Sequence, residues 1–258
     1  MKVITANLPS DLDSIEIHPL ADLHIGDKCC LFKDIQQELD YIKNTPNAYC
    51  LLDGDLMDTA ISSSVGDTYA QDLTPSEQIK HCVAIFGPIK NKILAVCGGN
   101  HENRIYKQDG IDITALMCDE LGISDKYSST AALLYIRFGK EAQTSGGRKV
   151  RYSLYMLHGN GNGRKEGGKL QRLADLCEII DADIYVAAHV HQPAGFRNKF
   201  YRCDPKNNGV MKVEHLFVNT AAWLEYGGYS EKMALKPGSG INPVIMLDGH
   251  RHMARVLV

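Results

Sequence analysis

The chain has 258 residues, 44% of them hydrophobic, with 28 Lys and Arg against 31 Asp and Glu and a formal charge of −3. That is ample chain for a buried core, in one large domain or two small ones. The longest apolar runs, such as residues 131–136, stay far below the roughly 18 residues of a membrane span, so no membrane partner is expected.

Residues 1–9 lack a long apolar stretch, so no secretory signal is read there and a cytoplasmic protein is expected. Eight cysteines without a C-x-x-C pair, several inside apolar runs, read as reduced core thiols. Ten histidines are roughly twice an ordinary complement. Histidine is the commonest metal ligand and the usual general acid or base, so their placement matters.

Residues 15–20 read as the first strand and are followed by Asp22-Leu23-His24, whose alternation puts both polar side chains on one side of an extended segment. Residues 33–44 carry Ile35, Leu39 and Ile42 on one face of a helix. A second strand over 48–52 runs into Asp53-Gly54-Asp55-Leu56-Met57-Asp58. Carboxylates so close repel one another unless a cation neutralises them, or unless the segment is an acidic turn with a helix cap.

Thr74-Pro75-Ser76-Glu77 is a capping box, opening a helix predicted to bury Ile79, Val83, Phe86 and Ile89. The strand over 93–97 ends in Gly98-Gly99-Asn100-His101-Glu102-Asn103-Arg104, where paired glycines let the backbone approach a ligand, Asn supplies a neutral oxygen and His a titratable group. A helix over 112–121, stopped by Gly122, should turn Leu116, Met117 and Leu121 inward.

Strands over 133–138 and 152–157 follow, the second ending at His158-Gly159. A helix over 168–180 should bury Leu170, Leu173, Leu176 and Ile180, and the strand over 184–188 ends in His189-Val190-His191. Residues 216–219, 243–247 and 253–258 read as further strands, the last two joined at an Asp248-Gly249 turn, giving an antiparallel edge or second sheet. Alternating strands and helices predict a layered α/β fold, and no linker divides residues 1–258, so a single domain is expected. Open α/β sheets place ligands at the carboxyl ends of their strands. Five strand ends would therefore deliver these residues to one crevice.

The series D-x-H, G-D-x-x-D, G-N-H-E, a lone His and a final H-x-H, running from Asp22 to His191, resembles the calcineurin-like metallophosphoesterase family. Ala188 departs from the Gly of the family's last motif, G-H-x-H, a backbone position and not a ligand. Gly249-His250-Arg251-His252 spells that motif more literally, but it follows a hairpin turn near the chain end, whereas His189 follows His158 after one helix and one strand, the family order.

The resemblance implies a four-layered or three-layered β-sandwich flanked by helices. It also implies a dinuclear centre with a bridging hydroxide, in which one metal takes Asp22, His24, Asp55 and His191 and the other Asp55, Asn100, His158 and His189. His101 would protonate the leaving oxygen or stabilise the transition state, oriented by Asp58. Mixed nitrogen and oxygen ligands suit two divalent ions such as manganese, with Fe, Zn, Co or Ni also possible.

For substrate, residues 1–60 hold seven more acidic than basic side chains, while residues 140–172 hold six more basic than acidic, and Arg197, Lys199, Arg202 and Lys206 follow. Such asymmetry presents a cationic wall to a polyanion, or is a solvated loop surface. Arg164 and Lys165 after His158, Arg104 and Asn100 are candidate phosphate contacts. The Arg that often follows G-D-x-x-D in the family's phosphatases is replaced by Thr59 and Ala60. A phosphodiesterase acting on nucleic acid or nucleotides, similar to the nuclease subunits of double-strand-break repair, is the leading expectation. The alternatives are a phosphomonoesterase on a small molecule or phosphoprotein, and a non-catalytic scaffold of the same fold.

Overall fold

Strands two through four of the chain's first half are short, apolar and joined by helices, which forces parallel pairing with crossovers. In the computed structural model, which describes residues 1–61, 64, 71–142, 147–161, 165–227, 231 and 241–258, they form the centre of a six-stranded sheet. Its members are β2 (Ser14–Leu20), β3 (Ala48–Asp53), β4 (Ile93–Cys97), β5 (Tyr127–Ser128), β11 (Val244–Asp248) and β12 (Ala254–Leu257), ordered β12-β11-β2-β3-β4-β5. The strands β2 to β5 are parallel, and β11 and β12 add an antiparallel edge.

The second sheet contains β1 (Lys2–Asn7), β6 (Ala131–Phe138), β7 (Val150–Leu157), β8 (Ile184–Ala187), β9 (Ala194–Asp204) and β10 (Gly209–Asn219), ordered β1-β6-β7-β8-β10-β9. Here β7, β8 and β10 are parallel, and β9 pairs antiparallel with β10.

Three apolar layers hold this together. Between the sheets, Ile15, Ile17, Leu51 and Ala95 meet Leu134, Ile136, Leu154 and Ile184. A fully buried Ile or Leu there stabilises by about 1.5–3 kcal/mol. On the outer face of the first sheet lie α1 (Phe32–Asn44), α2 (Pro75–Phe86), α3 (Glu102–Asp109) and α4 (Ile113–Leu121), with Ile35, Leu39, Cys82, Phe86 and Met117 against Leu20, Leu52 and Val96. On the outer face of the second, α5 (Glu166–Ala174) sets Leu173 against Tyr185 and Phe217. The order helix, sheet, sheet, helix gives four layers.

The capping box forms as expected: the Thr74 side chain accepts from the Glu77 N–H, and Glu77 Oε2 accepts from the Thr74 N–H at 2.8 Å. The buried row of that helix differs. It is Gln78, Cys82, Ile85 and Phe86, with Ile79 and Val83 only partly covered. In α4 the inward residues are Ile113, Met117, Cys118 and Leu121, and Leu116 is exposed, because the helix presents the row one residue later. The helix predicted over 168–180 ends at Ala174 and tightens into a 3₁₀ turn over Asp175–Glu178, leaving Leu170 and Ile180 half-buried. The strand expected over 216–219 is the buried end of β10, whereas polar α3, the edge strand β1, β9 and the exposed first half of β10 were not expected.

Cys50, Cys82, Cys97 and Cys118 are buried thiols and all eight cysteines are free, but Cys203 is exposed on β9, which corrects its reading as a core thiol. Among the described residues no helix is long and apolar enough to cross a membrane.

Candidate metal centre

Because β2, β3 and β4 are adjacent and parallel, residues just past their ends stand side by side: Asp22, Asp55 and Asn100. The parallel pair β7 and β8 delivers His158, His189 and His191 from the facing sheet, with the Ala188 N–H donating to the His158 carbonyl at 3.1 Å. Across the gap, the His189 N–H donates to Asp22 Oδ2 at 2.9 Å, stitching the two sheets at this end.

The backbone at these positions is unusual. Asp22, His24, Asp55, His189 and His191 all have positive φ, between 49° and 68°. The left-handed region costs a residue with a side chain roughly 1–2 kcal/mol. Of the seven non-glycine residues in that region among the described residues, five are ligand candidates, so strain is concentrated where the strands turn side chains inward.

Among the described residues, three groups have ligand atoms within 4.8 Å of one another: Asp22, His24 and His191; Asp55, His158 and His189; and His24, Asp58 and His101. His191 Nε2 lies 3.1 Å from Asp22 Oδ1, and His158 Nε2 lies 3.1 Å from both Asp55 Oδ2 and Asn100 Oδ1. The first two groups, joined by Asn100, are the seven residues expected from the sequence. His250 and His252 lie elsewhere, on the β11–β12 connection, where they meet Asp13 and Asp183. Asp248 there pairs with Ser14, at the start of β2, whereas Asp22 follows its end.

The charges fit cations. Burial alone would raise Asp22, yet His191 and His158 hold its carboxyl below the ordinary value. Burial likewise opposes ionisation of Asp55, but His158, His101 and His24 hold it well below. His158, despite burial, is pushed well above its ordinary value by Asp55, Asp22 and Asp53. Burial and a neighbouring imidazole push His24 and His189 down, keeping them neutral as ligands must be. His24 Nε2 is buried with no hydrogen-bond partner, an acceptor facing the cluster, which a metal ion would satisfy. The His158 Nδ1 donates to the Asp53 carbonyl at 2.6 Å, leaving Nε2 to face Asp55.

His101 and Asp58 also meet. His101 Nδ1 donates to the Asp58 carbonyl at 2.8 Å and lies 3.1 Å from Asp58 Oδ1. Burial opposes the Asp58 charge, but hydrogen bonds from His101 and His24 hold its carboxyl below the usual range. Burial lowers His101 while Asp58 and Asp55 raise it, and the net direction is upward. Arg104 Nη2 donates to His101 Nε2 at 2.8 Å.

Glu102, the last residue of G-N-H-E, anchors the turns beneath the site. Its buried carboxylate accepts four backbone N–H bonds, from Leu56 at 2.6 Å, Met57 at 3.0 Å, Asp55 at 3.1 Å and Gly99 at 3.1 Å. A Cβ on Gly99 would overlap Asp55 and Glu102 Oε2, so that position admits glycine alone. Three further polar groups stand behind the site, the half-buried Gln71 and the buried Gln78 and Asp53. Gln71 and Gln78 contact Asp58 in series, and Asp53 has both oxygens unpartnered, burial pushing its carboxyl up to about 7. The motif spacing gave no signal for the two glutamines, and none for a role of Asp53 apart from the acidic run it opens.

The basic loops are less available than their composition implied. Arg197 and Lys199 pair with Glu214, and Arg202 with Asp181, on the β9–β10 hairpin and its neighbour. Asn162, Gly163 and Arg164 lie outside the described residues. On α5, Lys169 donates to the Val190 carbonyl at 2.7 Å, between the two ligand histidines, and Arg172 to Asn160.

Residues 18–193 match the family model of the calcineurin-like phosphoesterases. No curated protein matches the chain. Among solved structures, vacuolar protein sorting 29 of Cryptosporidium parvum is similar at 18% identity, over 95% of this chain and 96% of that one, with a TM-score of 0.43. A metallophosphoesterase from Sphaerobacter thermophilus is similar at 12% identity over 93% and 90%, with a TM-score of 0.39. Wild-type Vps29 of Entamoeba histolytica, complexed with zinc, is similar at 10% identity over 94% and 97%, with a TM-score of 0.36.

Proposed function

The chain belongs to the calcineurin-like phosphoesterase family, and on that premise we propose that it is a metal-dependent phosphodiesterase with a dinuclear centre, acting on nucleic acid or nucleotides. The observation that carries this reading is the convergence of Asp22, His24, Asp55, Asn100, His158, His189 and His191, five of them on strained backbone. Asp22, His24, Asp55 and His191 would hold one divalent ion, and Asp55, Asn100, His158 and His189 the other. When bound, such cations supply Lewis acidity toward phosphoryl oxygens and generate a nucleophile from water near neutral pH.

His101 is the proton donor to the leaving oxygen through Nε2. Its Nδ1 is fixed on Asp58, and the nearby Asp58 and Asp55 carboxylates favour the imidazolium. An Nε2–H and the Arg104 N–H cannot share one hydrogen bond, so Arg104 leaves His101 Nε2 when that atom carries its proton. The released guanidinium is then free to bind a phosphoryl oxygen.

Preference for a diester follows from charge. Arg104 brings one guanidinium to the site, and the position after Asp58 holds Thr59, fully buried and donating to the His101 carbonyl at 2.7 Å, in place of a second. A diester carries one negative charge where a monoester carries nearly two. Lys165, Lys169 and Arg172 on the α5 side offer the rim on which a longer polyanion would lie.

Hydrolysis of a bis-aryl phosphodiester, an aryl monoester and single-stranded and duplex DNA under manganese tests this directly. The diester and at least one DNA should be cleaved. A large monoester preference overturns the substrate class, and no metal-dependent hydrolysis of any ester leaves a scaffold. His101→Ala should keep about two metals per chain while kcat falls about 10²–10⁴-fold; full activity would remove His101 from its role.

A further inference from the structure

Asp58 is held from behind by two side-chain amides. The Thr59 N–H, which can only donate, meets Gln78 Oε1 at 3.0 Å, and the Leu73 carbonyl, which can only accept, meets Gln78 Nε2 at 2.9 Å. These two backbone groups settle which end of the Gln78 amide is oxygen. The same Nε2 donates to Gln71 Oε1 at 3.0 Å, so the other end of Gln71 is its nitrogen, and that Nε2 donates to Asp58 Oδ2 at 2.9 Å. The direction of each bond is thus inherited from the backbone of residues 59 and 73.

Asp58 Oδ1, on the far side of the carboxylate, faces His24 Nδ1 at 3.3 Å and His101 Nδ1 at 3.1 Å. His101 has a second fixed acceptor in the Asp58 carbonyl, but the His24 Nδ1 depends on Oδ1, and its Nε2 has no partner. Gln78 itself is fully buried on α2 in the row of Cys82 and Phe86, an apolar setting in which an amide is tolerated only when its groups are paired. Gly26 makes room for it: its φ is +106°, and a Cβ there would overlap the Gln78 amide.

We infer that Gln71 and Gln78 are positioning residues that hold Asp58, and through it fix His24 as the Nδ1–H tautomer with the Nε2 lone pair turned into the metal site. This deepens the hydrolase reading and rests on it for its purpose, but not for its measurement. Neither glutamine touches a ligand: Gln71 acts on the site through Asp58, and Gln78 acts through Gln71 and through the Thr59 N–H.

The test uses ¹⁵N-histidine NMR on the metal-free protein and calorimetric titration with manganese. In the wild type, His24 should show the Nδ1–H pattern. Gln71→Met, close in volume at a half-buried position, should turn it into a mixture of tautomers and weaken manganese binding about tenfold, with kcat falling and KM held. Gln78→Met should shift the tautomer in the same direction, and on that readout the double variant should move no further than Gln71→Met alone, because Gln78 reaches Asp58 through Gln71, while its added loss of stability reports the unpaired Thr59 N–H and Leu73 carbonyl. Should Gln78→Met fail to fold, Gln71→Met decides the matter. An unchanged His24 tautomer and unchanged manganese affinity in folded Gln71→Met overturn the inference. A shifted tautomer in a protein that hydrolyses no phosphoester overturns the hydrolase reading and leaves the relay standing.

Discussion

Glu102→Gln isolates the anchor beneath the centre. The carboxylate divides four backbone donors equally, Leu56 and Met57 on Oε1, Asp55 and Gly99 on Oε2. A glutamine of the same shape keeps one oxygen and turns an NH2 group toward the other two donors, so two buried N–H groups lose their acceptor. Each costs about 1–3 kcal/mol when left unpaired, so the change should destabilise by about 3 kcal/mol, a large share of the roughly 5–15 kcal/mol that holds a protein folded. For a chain of this size that corresponds to a fall in Tm of about 6–12 °C.

Glutamine is a cleaner probe than alanine, whose cavity admits water to the same donors. The change should also reach the site, because the Asp55 N–H and the turn carrying Asp55 hang on Glu102. Urea denaturation of the metal-free protein measures the first effect, and manganese titration the second. A loss below about 0.5 kcal/mol, with unchanged manganese affinity, would refute the anchoring role.

Two further outcomes follow. His189 has a φ of +68°, so His189→Gly in metal-free protein should exceed His189→Ala in stability by about 1 kcal/mol, both having lost the imidazole; equal denaturation midpoints would show that no backbone strain resides there. Away from the centre, Asp183, which burial would raise, is held below the ordinary carboxylate value by His252 and Ser153, and Asp183 in turn raises His252. The carboxylate's contribution to stability is present above about pH 4 and lost as pH falls through its folded pKa. That of His252 is full below about pH 6.5 and lost as pH rises through its raised pKa. The deficit of His252→Gln should therefore be largest between about pH 4 and 6.5 and shrink above, and a deficit independent of pH would dismiss the ion pair.

The candidate ligands were legible because each follows a short apolar run that reads as a buried strand, and parallel strands bring their ends together. What supports the ligands was not legible, and one residue shows why. The row predicted for that helix was Ile79, Val83, Phe86 and Ile89, chosen for being apolar; Phe86 and Ile89 are buried, but the row of α2 that faces the core starts with Gln78. Periodicity ranks an amide as a surface residue, and only the backbone groups of Thr59 and Leu73 together with Gln71 make its burial tolerable. Glu102 is hidden in a related way, since its four donors come from the loops after β3 and β4, which come together only in the folded sheet. The misplaced face of α2 and the unrecognised support of Asp58 are thus one fact. Two polar side chains of the helical layer, Gln78 on α2 and Glu102 on α3, reach from the cover of the sheet to its strand ends. That layer therefore fixes where the strained turns carry Asp55 and Asp58, besides burying the sheet's outer face.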